Sequence, residues 1–256
     1  MASFLTRRKF TGPDMRNLHP RTELPFLFAY SLLYIVFSAC TGLLILHRPL
    51  DIFGIHDFLL DAWYFLVFKI SFLLLIPAFI FWRLGYRLRD LEPRGITGKD
   101  FVWCIPAYAI GFAINGNRIL EIQEQVHSGK MNIAWIRIIL GLLIALFNAG
   151  IPEEFFYRGW LQTRIDQRFG RPIAVLATAI LFTAWHIPSR YFLAYGSEGQ
   201  AGDLRSVLLQ TGLPVFIVAL ILGLLWDRYR RLLPLIALHW GIDTLPLISG
   251  MLGILR

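Results

Sequence analysis

Charge is what this chain has least of. Asp, Glu, Lys and Arg make up 16% of its 256 residues, where a soluble domain carries about 25%. That scarcity excludes an ordinary soluble globular protein. Cysteine is nearly absent too: Cys40 and Cys104 each sit in an apolar run, in no C-x-x-C or other metal-ligand spacing. A disulfide framework and a cysteine metal site are excluded, and both thiols are expected as buried small hydrophobes. The chain has no H-E-x-x-H, the strong zinc-protease signature. It shows no internal repeat, low-complexity tract or soluble linker, so residues 1–256 read as a single domain. The opening stretch, 1–23, lacks the short apolar core and cleavage site of a signal peptide, so the first apolar span is expected to stay as a signal anchor. The final GILR carries no lipidation or retention motif.

What the chain has instead is apolar sequence, 56% of residues. Runs of about 18 or more residues nearly free of charge define a polytopic membrane protein. The net charge of +8 then speaks of loop retention and anionic headgroups, and not of nucleic acid. Spans are predicted at 24–46, 58–82, 101–116, 133–160, 172–187, 206–226 and 232–250. The third is short and holds Pro106 and Gly111, and 117–132 leaves room for an eighth. The expected fold is an all-α transmembrane bundle of seven to eight spans. Sixteen loop Lys and Arg fall on one side of this layout and six on the other, which puts segment 1–23 in the cytoplasm. An integral protein of a bacterial inner membrane is the expectation. The connection 187–205, with Gly196, Gly199 and Gly202, has the freedom to move and to gate the outer side.

The most informative stretch is 148–162, NAGIPEEFFYRGWLQ. A carboxylate at bilayer depth costs a few kcal/mol even on lenient scales, so intramembrane charges carry function and have partners. Glu154 and Arg158, four apart, share a helix face and are expected to pair. Glu153 is turned by about 100° and has no obvious local partner. One carboxylate neutralised beside one left free suits a site that activates water. The bland alternative is a helix leaving the membrane with its charges at the headgroups.

Two downstream segments weigh against that alternative. Gly170-Arg171-Pro172 reads as the turn of a helical hairpin. Glu153 and His186 each lie about 25 Å from it along their helices, hence at similar depth. In LIALHWGIDTLP, His239 and Asp243 are again four apart, about 12 and 18 Å beyond Arg231. Three helices thus bring Glu153, Glu154, Arg158, His186, His239 and Asp243 into one polar layer. Lys69 and Arg137 are expected to snorkel to the headgroups, and Asp61 to be interfacial. The tryptophans at 63, 82, 103, 135, 160, 185, 226 and 240 fit aromatic belts. Trp185 and Trp240 double as pocket walls, because each adjoins a key histidine.

Two chemistries fit such a layer. Glu153 can act as general base on a water oriented by His186, with His239 and Asp243 on the oxyanion side of a hydrolysed amide. Alternatively His186, His239 and Glu153 hold Zn²⁺, which activates the water. The first requires no cofactor.

The three motifs Glu153-Glu154-x-x-x-Arg158, Phe182-x-x-x-His186 and His239-x-x-x-Asp243 resemble those of the CPBP family. That family comprises the type II CAAX prenyl endopeptidases and the Abi or bacteriocin-immunity proteins, and the likeness covers about 133–250. The resemblance implies an intramembrane endopeptidase, often labelled a metalloprotease, acting on membrane-associated or prenylated peptide substrates by a glutamate-activated water. By this likeness Glu153 is the base, Glu154 and Arg158 the supporting pair, and His186 orients water. His239 and Asp243 form the oxyanion side, with Phe182, Trp185 and Trp240 lining the pocket. The chain departs from prenyl-directed members at Asp243, where they usually carry a donor-capable Asn. An ionised Asp only accepts, so Asp243 either holds a proton or orients His239. The rival readings are a non-catalytic immunity or scaffold protein, a proton- or metal-coupled transporter and, more distantly, a di-histidine haem site.

Overall fold

Residues 20–47, 69–91, 95–128, 131–194 and 196–252 are described by a computed structural model, in which the regular elements are all helical. We label them α1 (Pro20–His47), α2 (Ile70–Arg83), α3 (Gly98–Ile114), α4 (Arg118–Ser128), α5 (131–169), α6 (Arg171–Leu193), α7 (Leu204–Tyr229) and α8 (Leu232–Leu252). Five of these, α1 and α5 to α8, are long and apolar enough to cross a membrane, and α2 is a shorter apolar helix. A helical membrane bundle is therefore the fold. The first part of the second expected span, with Asp61 and Trp63, lies outside the described residues.

The bundle is apolar outside and polar within, the inverse of a soluble protein. On α3, Phe101, Val102, Trp103, Ile105 and Ile110 are all more than 60% exposed. Glu23, Lys69, Glu153, Glu154, Arg158, Arg164 and His239 are all buried. Apolar surface of that extent marks contact with lipid, and buried charge must be paired.

Several boundaries move. Within 117–132 the described helix is α4, with 11 residues, about 16 Å of helix, against a hydrocarbon core of about 30 Å. Helix α5 does not end near residue 160 but runs to Phe169, so Gln162 and Arg164 are buried and not at a headgroup boundary. The hairpin turn is where expected, with Gly170 at φ 85° between α5 and α6. The expected gate is shorter than predicted, because α6 continues through Pro188 to Leu193. What remains of the loop is tied down. Arg190 pairs with Glu198 at 3.0 Å, the Thr211 hydroxyl donates to the Glu198 carbonyl at 2.6 Å, and the Arg118 guanidinium reaches Ser197. Cys40 is exposed and Cys104 half-buried, neither in a disulfide, so Cys40 is an outward-facing residue and not a core one.

The tryptophans divide. Trp82, Trp103 and Trp135 are exposed as a belt requires, but Trp160, Trp185 and Trp226 are buried. Two of the buried N–H groups find internal acceptors: Trp160 donates to Glu23 Oε1 at 2.5 Å and Trp226 to Thr163 Oγ1 at 3.2 Å, whereas the Trp185 N–H is buried without a hydrogen-bond partner. Glu23 Oε1 also accepts from Arg164 Nε at 3.0 Å, and its Oε2 accepts from Tyr86 at 2.8 Å. One buried carboxylate thereby ties the start of α1 and the segment after α2 to α5.

Helices α3 and α8 cross at two glycines with almost no space between their backbones. A Cβ on Gly241 would come to 2.3 Å from the Tyr108 carbonyl oxygen and 2.7 Å from the Phe112 nitrogen. One on Gly111 would come to 2.1 Å from the Leu238 carbonyl oxygen. Small residues permit such approach between membrane helices. The Asn115 side-chain amide donates to the Ile242 carbonyl at 2.7 Å across the same interface. Because Gly241 lies between His239 and Asp243, this contact sets where both side chains sit. We predict that Gly241→Ala, whose methyl meets main chain that cannot step aside, costs about 1–3 kcal/mol. Gly98→Ala, with nothing within 4 Å of the new methyl, serves as control. Thermal unfolding in micelles should show the first well below wild type and the second level with it; equal melting of the two would remove the glycine crossing as a constraint.

Candidate active site

The site is built on a distorted stretch of α5. Pro152 has no N–H and its ring crowds the carbonyl four residues back, which favours a local departure from the regular helix. Here the chain widens. Residues Ala145–Gly150 form a π-type turn, and the Ile151 N–H bonds back to the Leu146 carbonyl, five residues away. A second wide stretch covers Glu154–Gln162. Such insertions recur at functional sites, since they redirect side chains that a uniform helix would fan out evenly. Where the two adjoin, Glu153 and Glu154, the latter opening the second stretch, are both at most 1% exposed.

The two carboxylates have different partners. Glu154 Oε1 accepts from Arg158 Nη1 at 3.0 Å and from His239 Nδ1 at 2.6 Å. The Arg158 guanidinium lies 4.4 Å from the Phe182 ring centroid, and its other nitrogen approaches the Ala219 carbonyl on α7 at 3.4 Å. The predicted Glu154–Arg158 pair is thus present, and His239 joins it from α8. The structure corrects the expectation for Glu153, which is not without a partner. Its Oε1 accepts from the ammonium of Lys69 at 2.5 Å. Lys69 does not snorkel to the headgroups; it is buried at the start of α2, 4.5 Å from the centroid of Trp185. A strong internal anion and an aromatic face hold it inside. The other oxygen, Glu153 Oε2, is buried and has no hydrogen-bond partner.

His239 is the centre of the layer. With Nδ1 on Glu154, its Nε2 lies 3.8 Å from Glu153 Oε2 and 3.6 Å from Asp243 Oδ2. Asp243 is the open member, its side chain 33% exposed against 5% for His239. His186 stands slightly apart. Its Nδ1 is 2.7 Å from the Phe182 carbonyl, to which it donates, and its ring stacks 3.8 Å from Trp185. That leaves Nε2 as the nitrogen available to water or substrate. Phe182 connects the two histidines, with centroids 4.8 Å from His186 and 6.0 Å from His239. Trp240, half-buried, packs 4.6 Å from Tyr108 and donates to the Leu142 carbonyl at 2.9 Å. Of the residues marked in the sequence, Glu153, Glu154, Arg158, His239 and Asp243 meet directly, and His186 joins them through Phe182 and Trp185.

A bound metal finds little support in this geometry. Among the described residues no three His, Cys, Asp or Glu side chains gather as a metal-holding set. Glu153 Oε1 already faces the Lys69 ammonium, which would repel a cation. The alternative ligand set Glu153, His186 and His239 is thus not assembled as a Zn²⁺ site among the described residues.

Fold and site together define an integral membrane protein with a carboxylate–histidine centre enclosed by its helices. Residues 135–245 match a known family, described as type II CAAX prenyl endopeptidase Rce1-like. The matched segment carries all three motifs, and the likeness supports a protease of the CAAX endopeptidase type in general. No curated protein and no solved structure matches the chain.

Breaking one side of a buried pair leaves the other charge uncompensated, at a cost of about 3–5 kcal/mol. We predict a loss of that order for Arg158→Met in chemical unfolding of the solubilised protein. Removing Arg118 from its solvent-side pair with Glu121, 3.1 Å apart, should cost no more than about 0.5 kcal/mol. Similar losses for both would mean that Arg158 is not the charge partner of Glu154.

Proposed function

We propose that this chain is an intramembrane endopeptidase that hydrolyses a peptide bond of membrane-associated or prenylated substrates, with Glu153 activating the water. The observation that carries the reading is the setting of Glu153 Oε2: Glu153 and Glu154 each have a buried Oε2 without a hydrogen-bond partner, but that of Glu153 faces His239 Nε2 at 3.8 Å, on the side where Asp243 is open. A buried carboxylate oxygen without a donor is a costly feature unless a ligand supplies one.

On this reading a water donates one hydrogen bond to Glu153 Oε2, with His186 Nε2 as its second contact. Glu153 takes the proton as the water oxygen bonds to the scissile carbonyl carbon. The C=O electron pair moves onto oxygen, where His239 Nε2–H donates to it. Collapse of the tetrahedral intermediate breaks the C–N bond, and Glu153 returns its proton to the leaving amine. Glu154 and Arg158 hold the His239 ring through Nδ1. Asp243, 3.6 Å from Nε2, orients His239 and does not need to donate. Trp185 and Trp240 form walls beside the reacting groups, and Phe182 packs between the two histidines.

The test is cleavage in proteoliposomes of a farnesylated CAAX peptide and of an unlipidated transmembrane peptide, by wild type and Glu153→Gln, with and without chelator. The expected outcome is a fall in kcat of at least about 10²-fold for the variant and no effect of chelator. Equal cleavage by both proteins would sink Glu153 as the base and assign the activation of water to another group. Loss with chelator and recovery with Zn²⁺ would replace the mechanism by a metal-assisted one.

A further inference from the structure

We propose that Lys69 is a positioning residue of the reaction: it holds Glu153 by one oxygen so that the other is presented to water. This rests on the reading of Glu153 as base and adds to it a group from outside the family-matched segment, since Lys69 precedes residue 135.

Three observations carry it. The pairing is specific. Glu154, one residue away, is served by Arg158 from its own helix and by His239, whereas Glu153 receives its cation from α2. A structural need for neutrality alone would be met by any arrangement of these charges; here each glutamate has its own cation, and neither cation bridges the two. The geometry is one-sided. Lys69 engages Oε1 and leaves Oε2 bare; Glu154 is likewise held by Oε1 alone, but the bare oxygen of Glu153 is the one turned toward His239 Nε2, 3.8 Å away. Lys69 is also fixed from behind. Its ammonium lies over Trp185, whose carbonyl accepts from Ser38 of α1 at 2.7 Å and whose ring meets Tyr34 edge-on at 5.2 Å. Trp185 in turn stacks on His186. One residue thus sets the orientation of the base and contacts the aromatic platform of the second histidine.

The same placement serves the charge movement. When Glu153 takes the proton of water, its carboxyl becomes neutral and Lys69 loses its anion, just as negative charge arises on the carbonyl oxygen. The ammonium remains beside the site as a fixed counter-charge, without a group having to enter from water.

The experiment uses full-length protein in proteoliposomes with a farnesylated CAAX peptide. For Lys69→Ala we expect kcat to fall about 10–100-fold, with KM within about threefold of wild type. Added methylammonium should recover at least tenfold of the lost rate and methanol, of similar size but uncharged, none; Lys69→Arg should keep more activity than Lys69→Ala. Unchanged kcat, equal recovery by methanol, or a rise in KM alone would overturn the proposal. A second arm does not depend on turnover. Lys69→Met should lower the melting temperature and the added Glu153→Gln should restore it, because the lone buried carboxylate is gone. A double variant as unstable as the single would overturn the pairing itself. Should wild type cleave nothing, the protease reading fails, while recovery in the double variant still places Lys69 as the counter-ion of Glu153.

Discussion

Two adjacent carboxylates inside a membrane bundle can persist only if each is given a cation, and the interior of this protein follows from that requirement. Desolvating an ion costs several kcal/mol even after relaxation. A single glutamate might be tolerated near a helix end, but Glu153 and Glu154 are fully enclosed. Arg158 answers Glu154 from one helical turn away, and Lys69 answers Glu153 from another helix. The second pairing needs α2 to sit against α5, which fixes one wall of the bundle. His239 needs α8 to sit against the same stretch, which fixes another. The polar layer is thereby a structural constraint on three helices before it is anything chemical.

Packing supplies the precision that charge does not. Ion pairs are soft in direction, and by themselves would allow α8 to slide or rotate by an ångström. The backbone contact at Gly111 and Gly241 does not allow it, because no side chain lies between to adjust. Gly150 repeats the device where α5 meets α8: a methyl there would stand 3.2 Å from the Ile236 carbonyl oxygen and 3.5 Å from Trp240 Cβ. Glu153 follows Gly150 by three residues and His239 precedes Trp240. The two halves of the centre are therefore held in register by close approaches immediately beside them.

The legible part of this protein was its local pattern. Glu154–Arg158 and His239–Asp243 follow from spacing on one helix, and the hairpin at Gly170 follows from its Gly-Arg-Pro turn. Composition alone indicated a helical membrane fold. What spacing could not show is which distant helix answers which charge. Lys69 lies in LVFKISF, an intramembrane lysine that demanded a partner by the same reasoning applied to Glu153. Taken alone it snorkels, because its partner is 84 residues away. Arg164 is hidden for a like reason, its carboxylate being Glu23 at the start of α1. Trp160 fits a belt by sequence, though its N–H finds that same carboxylate. Pro152 was in plain view, but the wide turns it brings to α5 depend on how the chain relieves the clash.

The proposed chemistry also explains why the layer contains three carboxylates and not one. Glu153, Glu154 and Asp243 face Lys69, Arg158 and His239, so the set is neutral overall when His239 carries its second proton. Transfer of the water proton to Glu153 removes one negative charge, and the oxyanion restores it a few ångströms away. The net charge enclosed by the bundle is the same before and after. In a medium that solvates charge as poorly as lipid, a step that created net charge would meet the full desolvation penalty in its transition state. A step that only relocates charge among fixed partners avoids most of it. Asp243, whose Oδ2 lies 3.6 Å from His239 Nε2, belongs to this scheme as a third oxygen acceptor beside the imidazole that faces the reacting groups.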